Sequence, residues 1–489
     1  MILQLLSNLS YYLPELAIII GMSFLLFMES TYHKNHKQKF FLTIFSVISL
    51  VICLSVLGLN LGINPVKLFA QSVVIDQFGT IAKMLCVVSL LGIVYLSYTS
   101  GDIYQELKSE FLIITFGVLA GAMLVISANN FLALYIGIEI LSILSYVLAS
   151  FNKNDTLSAE GGFKYAIYGA VSSGVMLFGI SHIYGLFGSI QYDQIFSLLS
   201  GTLDADKLFI IKFSLILVFV GLGFKISAFP FHMWSPDVYQ GSPTPVTAFF
   251  SLVPKIAGIA AIARITNLFE LSNENLFQWW IGFIQIVAVL TMTFGNISAL
   301  GQESVKRLLA FSSLGQIGFV LLALSLGHGA FGAVLFYMLI YLLMTLVSFY
   351  GIDQVVREYG SDSHYFFKGL INKHPFLAIF MSIALFSLAG MPPLAGFVAK
   401  FNVFNLIILN KHYGIALIVA LNSVVALYYY LRLVKAIIVE SSDDESKLKG
   451  ATFLKQLFMA TLTLPILLLG VFWDKAYQIL NAASIFIKQ

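Results

Sequence analysis

Four ionisable side chains sit inside long apolar runs: Glu139 in FLALYIGIEILSILSYVLAS, Lys225 in GLGFKISAFPFHMW, Lys255 in TAFFSLVPKIAGIAAIA and Lys400 in GMPPLAGFVAKFNVF. A charge at the centre of a bilayer costs about 3 kcal/mol or more, so such residues face a bundle interior or water and are functional by default. For one lysine taken alone, the structural alternative is an ion pair or a helix-end ammonium reaching the headgroups. Three lysines with a single acid among them cannot all be closed pairs, so some are neutral part of the time. Burial disfavours an ammonium relative to the amine, and a nearby carboxylate reverses that preference. Moving Glu139 toward or away from Lys225 would then load or release a proton. Lys255 and Lys400 would pass the charge along the membrane plane through water, so the expected chemistry is a proton relay.

Weaker candidates surround these four. Lys164 follows Glu160 by four residues, a spacing that suits either an ordinary surface pair or a place on the proton path. Asp76 and Lys83, seven residues apart on one helix face, read as an ion pair or as helix-end anchors. His232, just after Pro230, either passes protons from the inner side or caps and packs its loop. His182 and His328 lie near the outer ends of spans, where protons could leave.

These residues need membrane-spanning helices to hold them. The 489-residue chain is 59% hydrophobic and only 10% charged, whereas soluble domains carry about 25% charged residues. Runs of roughly 20 apolar residues recur from end to end, each long enough to cross a hydrocarbon core of about 30 Å as a helix. Bounding each run by charges or Gly/Pro/Asn clusters gives about 14 spans. They lie near 11–29, 40–60, 74–98, 111–128, 130–151, 161–187, 209–233, 244–266, 277–299, 306–326, 330–351, 376–408, 412–436 and 453–473. The first is read as a retained helix. The fold class expected is all-α and polytopic, with an even number of spans and both termini on one side.

Loop charges set the orientation, because lysine and arginine concentrate in cytoplasmic loops. With the N-terminus outside, the inner loops collect Lys34, Lys37, Lys39, Lys153, Lys306, Arg307, Arg357, Lys368, Lys373, Arg432, Lys435, Lys447 and Lys449. The outer loops hold chiefly Lys67, Lys207, Arg264 and Lys411. Both termini are therefore expected in the periplasm. The longest polar insert, Glu440 to Lys449, reads as a solvated cytoplasmic linker.

Two spans contain helix breakers at matching places. Gly221, Gly223 and Pro230 surround Lys225 in the seventh, and Gly390, Pro392, Pro393 and Gly396 precede Lys400 in the twelfth. Ordinary proline kinks are the alternative. Symmetric breaks, each with a lysine, point instead to two inverted five-helix repeats with a transport path between them. The expected organisation is helices 1–3 over 1–105, a first repeat over 106–270, a second over 271–437, and a loop with a final helix over 438–489.

Other functions are excluded on composition. Cys53 and Cys86 both fall in apolar spans, without a CxxC metal or redox motif. A net charge of +3 spread over short loops gives no basic face for nucleic acid, and no dinucleotide fingerprint or P-loop is present. The 44 Phe and 23 Tyr are ordinary packing at this density, with no cluster that marks a quinone pocket.

The run Lys225 to Gly258, KISAFPFHMWSPDVYQGSPTPVTAFFSLVPKIAG, resembles the signature region of the antiporter-like membrane subunits of respiratory complex I, the NADH:quinone oxidoreductase. Its PDVYQGSPTPV segment is similar to the N subunit, whereas the L and M subunits and multisubunit cation antiporters carry a histidine-containing sequence after PD. EGGFKYAIYGAVSSG around Lys164 resembles the family's sixth-helix motif, and QESVKRLLAFSSLGQIGF resembles the tenth. By that resemblance Glu139 matches the fifth-helix glutamate, Lys225 its broken-helix partner, Lys255 the central lysine and Lys400 the terminal exit residue. Gln316 departs from the pattern, standing where a histidine is usual. It can hydrogen-bond but not titrate.

The resemblance implies a proton-pumping subunit with no NADH, flavin, iron–sulfur or quinone site of its own. NADH, FMN, iron–sulfur clusters and quinone would bind partner subunits, and no metal is expected on this chain. The partners implied are other membrane and peripheral subunits, among them a neighbouring antiporter-like subunit and a small membrane subunit, in a bacterial inner membrane. Rival readings are a Na⁺/H⁺ antiporter subunit, a hydrogenase-linked membrane complex, and a scaffold whose buried charges are relics.

Overall fold

The computed structural model describes residues 9–31, 36–201, 204–441 and 453–484. Lys34, Lys447, Lys449 and most of the 440–449 linker lie outside the described residues. Helices follow one another almost without interruption. The first two are α1 (Leu13–Thr31) and α2 (His36–Leu59), after which a short antiparallel hairpin, β1 (Val66–Leu68) with β2 (Val73–Ile75), pairs Val66 with Ile75. Then come α3 (Gln77–Thr99), α4 (Lys108–Ser127), α5 (Phe131–Ala149), α6 (Thr156–Phe187), the short α7 (Tyr192–Leu199) and α8 (Ala205–Ile226). The short α9 (Trp234–Gly241) leads into α10 (Thr244–Ser272), α11 (Glu274–Ala299), α12 (Val305–Leu324) and α13 (Phe331–Tyr359). The chain ends with α14 (Leu370–Lys373), α15 (Pro375–Ala389), α16 (Ala395–Leu409), α17 (Tyr413–Ile438), α18 (Phe453–Val471) and α19 (Trp473–Ala482).

Thirteen helices among the described residues are long and apolar enough to cross a membrane. The predicted twelfth span is two shorter apolar helices, α15 and α16. Sequence periodicity gives no warning of α7, α9 or α19, because each is short and lies in a stretch too polar or too broken to read as a span.

Polar residues at the helix starts explain where the helices begin. Asp76 accepts from the Gly79 amide, Asn130 from Ala133, Asn273 from Leu276 and Ser304 from Arg307, each satisfying a donor that the first helical turn leaves free. The interior is built around α10, α12 and α13, whose apolar stretches are buried almost throughout, while α1, α2, α17 and α18 show most of their surface outward. An apolar outer surface is stable only against lipid, so the exposed Ile20, Phe27, Val171 and Leu417 belong in a bilayer.

Both predicted breaks are present. Ser227, in the left-handed region at φ 59°, closes α8 by donating its amide to the Gly223 and Phe224 carbonyls, and the chain then runs irregularly through Pro230 to α9. Gly390, at φ 88°, closes α15 in the same way onto Phe386 and Ser387. Glycine is required at 396, since a Cβ there would stand 1.9 Å from the Ser387 carbonyl oxygen. Each irregular segment is partly buried: Ala228 and His232 of the first and Leu394 of the second are buried, while Pro230, Pro392 and Pro393 are exposed.

The structure corrects three charge assignments. Asp76 and Lys83 do not pair with each other. Asp76 takes Arg264, at 2.5 Å from one guanidinium nitrogen and 3.2 Å from the other, and Lys83 takes the buried Glu15. Arg264, counted with the outer loops, lies inside α10 and is buried. Lys306, counted with an inner loop, is the second residue of α12, buried and 3.5 Å from Asp102. For Asp76 and Lys83 the reason is that spacing along one helix face carries no information about partners contributed by α10 and α1; Arg264 and Lys306 fall inside helices because α10 runs on to Ser272 and α12 starts at Val305.

Candidate functional site

The first site is a lysine in an aromatic cage. Lys225 occupies the last turn of α8, where a cation faces the negative end of the helix dipole. Its ammonium lies 5.0 Å from the ring centres of Tyr165 and Phe224 and 5.2 Å from that of Tyr146, within cation–π range. It also donates a long, 3.4 Å hydrogen bond to the Tyr165 hydroxyl. Tyr165 stacks on Trp234 at 4.1 Å, and the Trp234 indole N–H donates to the Phe224 carbonyl at 3.0 Å.

Glu139 is not in direct contact with this lysine. No ion pair within 4 Å joins the two, and Glu139 Oε1 is buried without a hydrogen-bond partner. Tyr135, one turn earlier on α5, stands beside it. The structure does not bring the sequence-predicted pair into contact: one carboxylate oxygen of Glu139 is without a hydrogen-bond partner, and the Lys225 ammonium is held by one long hydrogen bond.

Lys255 lies in the buried stretch of α10, directly after Pro254, and donates to Ser313 Oγ at 2.7 Å. Its ammonium is 5.6 Å from the Tyr239 ring. Thr247 and Ser251 precede it at successive four-residue steps, so three polar side chains line one face of the otherwise apolar stretch 245–263. The Thr247 hydroxyl donates toward the Tyr239 carbonyl, and Ser251 donates to Thr247. Together with Tyr239 and Ser313 they give Lys255 an environment of hydroxyls, each able both to donate and to accept a proton.

Lys400 sits across the second break. From α16 it donates back to the Leu388 and Ala389 carbonyls at the end of α15, at 2.8 and 3.0 Å, with the Phe319 ring 5.2 Å from its ammonium. A cation placed on the terminal carbonyls of a helix satisfies groups the helix cannot. Gln316 joins the same carbonyl: its amide donates to Leu388 O at 3.1 Å and to the Tyr430 hydroxyl at 3.2 Å, while its oxygen accepts from Tyr337 at 2.5 Å. Gln316 lies one turn from Ser313 on α12, so the surroundings of Lys255 and of Lys400 each include a polar residue of this helix.

The peripheral candidates divide. Lys164 pairs with Glu160 at 2.6 Å and also with Asp237 at 2.7 Å. His232 is buried in the α8–α9 break between Phe229 and Phe294, with Nδ1 unpartnered, and no described hydrogen bond links it to the lysines. His328 lies near the start of α13, and its backbone amide donates to Glu270. His182 packs on Phe178. Sequence reasoning misses Tyr165, Trp234, Asp237, Tyr239 and Ser313. The one signal it offers is the i−4 ladder Thr247, Ser251, Lys255, which marks a polar face pointing at α9 and α12. No group of three or more His, Cys, Asp or Glu among the described residues is placed to hold a metal.

A bundle of membrane-length helices, broken twice at mid-chain and carrying a buried lysine at each break, defines a membrane translocation protein rather than a receptor or a soluble enzyme. The family model described as "NADH:quinone oxidoreductase/Mrp antiporter, TM" matches residues 128–426, and the chain belongs to that family. It is 35% identical to NADH-quinone oxidoreductase subunit N of Pelagibacter ubique, over 98% of this chain and all of that one. It is 37% identical to subunit N 1 of Rhizobium meliloti over 90% of each. Among solved structures, a chain of respiratory complex I from Thermus thermophilus, bound to aureothin, superposes with a TM-score of 0.80 at 27% identity, covering 96% of this chain and 99% of that one.

Proposed function

We propose that the chain works as the N-type membrane subunit of a complex-I-type NADH:quinone oxidoreductase, translocating protons through Glu139, Lys225, Lys255 and Lys400. The observation that carries this reading is the line of buried lysines, each held by neutral donors and acceptors rather than by a closed ion pair. A lysine paired with a carboxylate at contact distance keeps its proton. One held by a tyrosine, a serine or a backbone carbonyl can give it up at far lower cost. The open Glu139–Lys225 pair is then the switch at one end, and Lys400, released from the α15 carbonyls, is the outlet at the other.

Electron transfer on partner subunits supplies the drive, since moving one charge against 100 mV takes about 2.3 kcal/mol. NADH, FMN, iron–sulfur clusters and quinone belong to those partners, which include a neighbouring antiporter-like subunit and a small membrane subunit. The two breaks support the division into two inverted repeats over 106–270 and 271–437. Loop charge supports a bacterial inner-membrane location with both termini in the periplasm. Lys164 and His232 stand near the seventh-span break, where protons would be taken up. The Na⁺/H⁺ antiporter reading draws on the family alone; the Pelagibacter and Rhizobium relatives, aligned over most of their length, carry the NADH-quinone oxidoreductase name.

Co-purification separates the two. Tagged chain extracted from its own membranes in mild detergent is expected to carry NADH-dependent quinone reductase activity sensitive to quinone-site inhibitors. Isolation free of that activity, with sodium-dependent proton exchange after reconstitution, would overturn the assignment.

A further inference from the structure

The eight-residue helix α9 reaches both central lysines, Lys225 through Tyr165 and Lys255 directly. Its first residue, Trp234, stacks on Tyr165, which receives the hydrogen bond of Lys225. Five residues on, Tyr239 puts its ring beneath Lys255. A rigid helical segment of five residues spans about 7.5 Å, so one small body reaches from one aromatic cage to the next lysine.

Two further features concern how α9 is held. On its entering side the chain pivots at Ser227, a non-glycine residue at φ 59° whose hydroxyl is buried without a partner. On its other side Asp237 takes two cations at once. Oδ2 accepts from Lys164 of α6 at 2.7 Å, and Oδ1 accepts from Arg307 of α12 at 2.7 Å, with Arg307 also bonded to Gln240 at 3.1 Å. Each clamp leads back to a lysine. Lys164 adjoins Tyr165, the partner of Lys225, and Arg307 lies six residues before Ser313, the partner of Lys255, on the same helix.

We propose that α9 transmits a change of protonation at Lys225 to Lys255, with Asp237 as the positioning residue that seats it between α6 and α12. This rests on the proton-translocating reading above. When Lys225 loses its proton, its electrostatic pull on the three rings ends and its hydrogen bond to Tyr165 weakens, because a neutral amine is a poorer donor. Tyr165 and the stacked Trp234 are freed to move, and α9 carries that displacement to the ring under Lys255. Asp237 joins α6 to α12 through one partly exposed carboxylate, whereas the fold rests on the buried apolar core. The role of Asp237 is therefore to fix register between the two halves rather than to hold the fold together.

The test uses the intact complex in native membranes, comparing Asp237→Asn, Asp237→Glu and, in parallel, Lys225→Ala. Asp237→Asn is expected to assemble normally on native gels yet slow NADH-driven proton pumping about tenfold, within the usual range of coupling between two sites. Its solvent deuterium isotope effect on turnover should rise above that of the unmodified protein, because proton transfer in this subunit becomes limiting. Asp237→Glu should restore most of the rate and the original isotope effect. Asp237→Asn complex with unchanged pumping, or with a lower rate and an unchanged isotope effect, overturns the coupling role while loss of pumping in Lys225→Ala leaves the functional reading intact. Unchanged pumping in both variants overturns the functional reading and this inference together.

Discussion

Replacing Lys225 with alanine is expected to abolish proton translocation through this subunit while the complex still assembles. The lysine makes one long hydrogen bond, three ring contacts and no ion pair at contact distance, so its removal breaks no closed charge pair. What is lost is the group that takes up and releases the proton, a role worth about a hundredfold or more in rate. Lys225→Arg sharpens the point. Arginine keeps a cation in the same cage but does not give up its proton in proteins, so this variant should assemble and fail as completely as alanine. NADH-driven acidification of inverted vesicles, normalised to complex on a native gel, reads both. A Lys225→Arg complex that pumps at the normal rate would show that the position needs charge and not proton exchange.

Lys400 should behave differently, because it has two duties. Its ammonium satisfies the Leu388 and Ala389 carbonyls that end α15, and Gln316 serves only the first of them. Lys400→Ala therefore strands the Ala389 carbonyl and is expected to destabilise the subunit by about 1–3 kcal/mol as well as stop pumping. Lys400→Arg separates the duties: the guanidinium can still donate to both carbonyls, so thermal stability of the complex in detergent should be retained while translocation is lost. Full pumping by Lys400→Arg would remove Lys400 from the proton path and leave it as a cap on a broken helix.

Much of the proposed proton path is legible in the sequence alone. Glu139, Lys225, Lys255 and Lys400 stand out because an ionisable residue in a 20-residue apolar run has no inexpensive explanation, and the breaks are marked by Gly221, Gly223 and Pro230 and by Gly390 through Gly396. What the sequence hides is the set of partners. Lys225 rests against aromatic rings from α5 and α6, and Lys255 reaches a serine on α12, contacts between segments 58 to 79 residues apart that no local spacing encodes. Asp76 and Lys83 escape local spacing for the same reason: their true partners, Arg264 and Glu15, come from other helices. Gln316 illustrates the converse. A departure from the family pattern in sequence, it is fully engaged in the fold, tying Tyr337, Tyr430 and the α15 carbonyl together beside Lys400. A side chain that only donates and accepts can hold that junction without titrating.

The central claim is that buried lysines change protonation as the complex turns over. Infrared difference spectroscopy on membranes carrying ¹⁵N-lysine, recorded between the resting and the NADH-reduced states, observes that event itself. The account predicts an isotope-sensitive ammonium band that changes on reduction and is diminished in Lys225→Ala. A spectrum in which no lysine band moves, from complex that pumps protons at its full rate, would contradict it.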